Sequence, residues 1–135
     1  MIQKIYISYI TSLLALLIID GTWLFCTAKI LYMKQLSHLM SGNFVLLPAI
    51  FFYIIYAYGI VHFILSPALQ NSYPTSTVFL NGAFFGFVAY AAYDLTNHAT
   101  LNDWPMVITV IDLAWGTFMT GLASMLSYII TQITG

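Results

Sequence analysis

Four long apolar runs separated by short polar breaks organise this chain. They extend from Ile5 to Phe25, Phe44 to Leu65, Thr77 to about Asn97, and Pro105 to about Ile130. Each reaches the roughly 20 residues of helix needed to cross the hydrocarbon core of a bilayer. The runs are continuously apolar rather than alternating, which favours helices over the strands of a membrane barrel. The pattern predicts an all-α integral membrane protein with one domain over residues 1–135. Its fold is a four-transmembrane-helix up-and-down bundle with a short interfacial helix after the first span.

That short helix is read from residues 27–41. Lys34, His38 and Ser41 share one helical face, while Ile30, Met33, Leu36 and Met40 lie broadly on another. An in-plane interfacial helix fits, and so does an extension of span one. Ser66, Pro67 and the stretch from Asn71 to Ser76 are expected to form the second loop, with Pro74 as breaker. Asn102 or Asp103 is expected to cap a fourth helix whose first turn holds Pro105. The first span reads as a retained helix: Asp20 interrupts its apolar run, and no small-residue cleavage site follows.

Composition supports the membrane reading. Of 135 residues, 61% are hydrophobic and 5% are charged, against roughly a quarter charged in an average soluble domain. The net charge of -1 argues against nucleic-acid binding and against docking on acidic lipid headgroups. The lone Cys26 cannot form an intrachain disulfide.

Against this apolar background, three of the four carboxylates stand out. Asp20, Asp94 and Asp112 lie inside the spans, where an acid costs a few kcal/mol on insertion scales and is a functional candidate by default. Threading the spans up and down puts all three in one half of the membrane. This is the half bordered by loops one and three, which carry Lys29, Lys34, His38 and Asn102. Asp112 lies about 10 Å into the fourth span from that side, at 1.5 Å of rise per residue.

Helical spacing adds neighbours. Gly86, Tyr90, Asp94, Asn97 and His98 share a face of span three; Thr109, Asp112, Gly116 and Thr120 share one of span four. Trp23 and Trp115 each follow an aspartate by three residues, and an indole N–H can donate to a carboxylate across a helix interface. No Lys or Arg lies within a span, and Lys29 is about 13 Å along the helix from Asp20. The candidate ligand, proton or cation site is therefore Asp20, Asp94, Asp112, Asn97, Tyr90, Trp23 and Trp115. The bland alternative is that these acids only fix helix register. His62 reads as interfacial, and Gly82 with Gly86 reads as a packing surface. No metalloprotease, nucleophile-elbow, P-loop or dinucleotide motif is present, so no catalytic residue, metal site or cofactor is assigned.

Three blocks carry a family resemblance. They are Phe52-Tyr53-x-x-Tyr56-x-x-Gly59-x-x-x-Phe63-x-x-x-Pro67-Ala68-Leu69, Tyr90-x-x-Tyr93-Asp94-Leu95-Thr96-Asn97-x-Ala99-Thr100-Leu101-x-x-Trp104-Pro105, and Thr109-x-x-Asp112-x-x-Trp115-Gly116-Thr117. Across essentially its whole length the chain resembles the bacterial predicted membrane proteins of domain of unknown function 2177. The resemblance implies a small bacterial integral membrane protein and no established activity. It carries over the aspartates matching Asp20, Asp94 and Asp112, together with Asn97 and Trp115. At the position of His98 the family pattern is apolar, which weakens any metal site requiring that histidine. The resemblance also implies an association with enzymes that modify membrane fatty acids.

Three functional readings follow. The first is binding or transport of a proton, cation or small cationic solute, with a homo-oligomer, a dimer, expected because four helices are few for a permeation path. The second is a membrane-embedded enzyme or accessory factor in fatty-acyl lipid modification, with an aspartate as acid or base and Asn97 or Tyr90 orienting substrate. The third is a structural partner subunit. The expected partner is the lipid bilayer, with no nucleic acid, and the expected location is the bacterial cytoplasmic membrane. Lys29 and Lys34 against Lys4 favour loops one and three on the cytoplasmic side.

Overall fold

A computed structural model describes all of residues 1–135. Four helices cross the molecule: α1 (Ile2–Leu36), α2 (Leu46–Asn71), α3 (Thr75–Thr100) and α4 (Met106–Thr134). All four are long and apolar enough to span a membrane. Their outward faces carry exposed Leu14, Ile18, Phe51, Ile55, Phe84, Val88 and Val110, the surface that a bilayer rather than water accommodates.

The first helix is longer than its apolar run. At 35 residues it measures about 50 Å, well beyond the roughly 30 Å hydrocarbon core. Of the two readings of the amphipathic stretch, an interfacial helix or an extension of span one, the second holds: α1 continues through a π-helical turn at Ala28–Tyr32 and ends in a last α-turn at Met33–Leu36. The Thr27 hydroxyl donates back to the Trp23 carbonyl at 2.7 Å just before that turn, a bond that bends helices.

The second helix corrects another expectation. Ser66 and Pro67 lie in helix, which runs on to Asn71. A proline in a helix interior removes one N–H and crowds the carbonyl four residues back. Here a π-turn at Val61–Leu65 immediately precedes it, and such a turn spreads the backbone where the α-helical ladder is interrupted. The helix is capped at Ser72, left-handed with φ 52°, and Pro74 is the N-cap of α3.

The third connection also differs from expectation. Neither Asn102 nor Asp103 caps α4: its N-cap is Pro105, and no side chain bonds the first turn. Asp103 instead adopts φ 58°, and its carbonyl accepts a hydrogen bond from His38 Nε2 at 3.0 Å. That bond ties loop three to loop one.

Packing centres on α4, which touches α3 over the greatest extent and α1 next. Small residues set the α3–α4 approach. A Cβ on Gly86 would collide with the Gly116 carbonyl oxygen, and one on Gly82 would meet the Ser124 hydroxyl at 2.5 Å, so these positions serve as the expected packing surface. Between α1 and α4 the contact is a seam of hydroxyls: Ser8 with Thr131 at 3.1 Å, Thr11 with Ser127 at 2.6 Å, and Ser12 donating to Ser127 at 3.0 Å. The dry core, including Leu16, Ile60, Leu65, Val78, Met119 and Tyr128, lies beside this seam. It leaves the opposite half of the bundle for the acids.

Candidate functional site

A buried carboxylate oxygen demands donors, because water no longer supplies them. Asp20, on α1 and 6% exposed, has both oxygens satisfied. Tyr53 of α2 donates its hydroxyl to Oδ2 at 2.5 Å, and Trp115 of α4 donates its indole N–H to Oδ1 at 2.9 Å. One aspartate thus joins three helices. All its donors are neutral, so it is hydrogen-bonded without being paired to a cation.

Trp115 also connects Asp20 to a second relay. Its ring stacks on Trp23 with centroids 4.3 Å apart and planes 9° from parallel. Trp23 donates to the Tyr32 hydroxyl at 3.0 Å, and Tyr32 donates to Asp112 Oδ1 at 2.6 Å. The widened turn of α1 carries Tyr32 back over the end of the bundle. Asp112 is 7% exposed. Tyr32 is its one hydroxyl donor, and the carboxyl of Asp94 lies within hydrogen-bond reach of its own.

Asp94 is the exception. It is 0% exposed, and no N–H or hydroxyl donor reaches either of its carboxyl oxygens. Its carboxyl instead lies within hydrogen-bond reach of that of Asp112, on the facing helix α4. Two carboxyl groups in contact away from any cation can be accommodated by one shared proton.

Two cavities meet at Asp112. One, the chamber, about 200 Å³, is lined by Asp20, Trp23, Leu24, Tyr32, Leu36, Tyr90, Tyr93, Trp104, Asp112 and Trp115. The other, the groove, about 420 Å³, is lined by Phe52, Tyr56, Ala89, Tyr90, Tyr93 and Asp112. Tyr90, Tyr93 and Asp112 belong to both. The Tyr90 ring packs directly on Gly116, where any side chain would displace it. Beside the chamber, Trp104 donates to Thr109 at 3.0 Å, and Thr109 lies 3.2 Å from His98 Nδ1.

Of the residues singled out from sequence, Asp20, Asp112, Tyr90, Trp23 and Trp115 line the chamber, and Asp94 faces Asp112. Asn97 is only partly buried, lines neither cavity and makes no side-chain hydrogen bond to an aspartate. Trp115 donates across the interface to Asp20 rather than to Asp112 on its own helix. Trp23 reaches no carboxylate directly. Tyr32 and Tyr53, the hydroxyl donors to the acids, had no functional assignment from sequence. Tyr32 falls beyond the apolar run ending at Phe25, so its depth was hidden until the helix was seen to continue. Tyr53 could have been found by asking which tyrosine at matching depth satisfies Asp20.

The fold, with its apolar exterior and three buried aspartates, defines a multi-pass membrane protein built as a four-helix bundle. Residues 5–129 match the family model described as Predicted membrane protein (DUF2177), and the chain belongs to that family. No curated protein and no solved structure gives a match.

Proposed function

We propose that the chamber binds a small organic cation, with Asp112 as its counter-charge. The observation that carries this reading is a carboxylate with a single hydroxyl donor, Tyr32, and no cation, on a cavity whose walls include three tryptophans and three tyrosines. Aromatic faces attract ammonium groups by about 0.5–2 kcal/mol each, most strongly when desolvated, and aromatic cages are a recurrent solution for quaternary ammonium ligands. A bound cation would also offset an acid that no Lys or Arg of the bundle pairs with. In this reading Asp20, already satisfied by Tyr53 and Trp115, positions the walls. Asp94 is the second acid, outside the cavity and against Asp112, where it takes a proton while Asp112 holds the cation. Transport would follow if two copies completed a path. We place the protein in a bacterial cytoplasmic membrane with loops one and three inward.

All three tryptophans of the chain, Trp23, Trp104 and Trp115, line the chamber, so intrinsic fluorescence reads its occupancy directly. In nanodiscs of phosphatidylglycerol, whose headgroup carries no ammonium, tetramethylammonium should produce a saturable change in tryptophan emission. Asp112→Asn should weaken that binding about tenfold or more, the equivalent of about 1.4 kcal/mol. An unsaturable response, or equal affinity in the variant, would sink the proposal.

A further inference from the structure

We infer that the chamber's ligand is an amphiphile: an alkylammonium head in the chamber with a hydrocarbon tail lying in the groove. This rests on the cation reading above and adds the substrate class. The groove and the chamber are adjacent, with Tyr90, Tyr93 and Asp112 in the walls of both, so Asp112 can face an ammonium group from either side. Apart from that aspartate, the groove offers the apolar faces of Phe52, Tyr56, Ala89, Tyr90 and Tyr93. Its volume, about 420 Å³, lies within the range of about 300–1,000 Å³ typical of small-molecule sites.

The groove also faces the right solvent. Tyr56 and Phe85 pack at 5.5 Å between ring centroids, and a Cβ on Gly59 would meet the Phe85 ring at 3.0 Å, so α2 and α3 meet there through side chains. Toward Phe52 and Tyr93, both exposed on the outer surface, the groove opens between the same two helices. Its mouth therefore opens sideways, toward acyl chains rather than bulk water. Lipid is as apolar as the groove, so the tail gains little hydrophobic free energy by moving between them. What the tail supplies is access: the ligand arrives from within the bilayer, already concentrated there.

A selective block tests this. Ala89 lines the groove but not the chamber, so Ala89→Phe fills the tail's position and leaves the head's. In phosphatidylglycerol nanodiscs, tryptophan emission is titrated with tetramethylammonium and with sub-solubilising dodecyltrimethylammonium. Wild type should respond to both. Ala89→Phe should weaken dodecyltrimethylammonium about tenfold or more and keep tetramethylammonium within about twofold, which also certifies that the variant is folded. Should Ala89→Phe not fold, Phe52→Ala, which removes a groove wall instead of adding bulk, must likewise lower the affinity for dodecyltrimethylammonium alone. If both probes bind the groove variants as they bind wild type, the amphiphile inference is overturned while the cation reading stands. If tetramethylammonium fails to bind wild type, both fall.

Discussion

Asp20 and Asp94 are both buried, yet they stand in opposite relations to their surroundings. The first has a tyrosine and a tryptophan on its two oxygens; the second has no such donor and faces only the carboxyl of Asp112. Their variants should therefore move stability in opposite directions. Trp115→Phe deletes the donor to Asp20 and should cost about 0.6 kcal/mol, up to about 1.7, the range measured for interhelical hydrogen bonds in bilayers. Asp94→Asn replaces one of two facing carboxyls with an amide that donates to Asp112 at any pH, and should stabilise the bundle by about 1 kcal/mol. Equilibrium unfolding in mixed micelles with increasing SDS checks both. A destabilised Asp94→Asn would mean that the acid is held for structure. That Asp94 is a candidate was legible from its place in an apolar run. That it is the member without an N–H or hydroxyl donor was not, because satisfaction depends on which side chains the other three helices bring within 3 Å or so.

At the scale of the helix, the glycines divide by what a methyl group would meet. Gly86 approaches a backbone carbonyl of α4 that cannot swing aside, whereas Gly21 has nothing within 4 Å. Gly86→Ala should therefore cost several kcal/mol or prevent assembly. Gly21→Ala should gain up to about 1 kcal/mol from helix propensity alone. The paired comparison, read by the same SDS unfolding, separates packing from propensity. The four helices were legible because continuous apolar length is nearly sufficient in a membrane. Their ends were less so. Leu36 and Asn71 extend α1 and α2 past the expected limits, through π-turns that leave no composition signal of their own. Pro67 marked a break in the sequence, but the helix absorbs it with a local widening upstream.

For the whole molecule, four crossings bring both termini to one face and set loops one and three on the other, where His38 joins Asp103. Reporter fusions at either terminus should give matching signals, and reporters inserted in loops one and three the opposite one. The lysine bias further predicts that the loops are cytoplasmic. Sequence alone brought three acids to similar depth, since depth follows from counting residues along each span. It could not supply the azimuth of each helix, and so missed the sequence of contacts from Tyr53 through Asp20, Trp115, Trp23 and Tyr32 to Asp112.

The hydroxyl seam between α1 and α4 carries one more consequence. Ser8, Thr11, Ser12, Ser127 and Thr131 clasp the two helices beside the dry core, while the far half is hollowed by two cavities and flanked by a π-turn. Breathing of the bundle should therefore be graded along its length, pivoting about the clasp. In hydrogen–deuterium exchange, amides around Ser12 and Ser127 should be the last to exchange and those from Thr27 to Leu36 among the first. Replacing Ser127 with alanine should flatten that gradient by loosening the pivot.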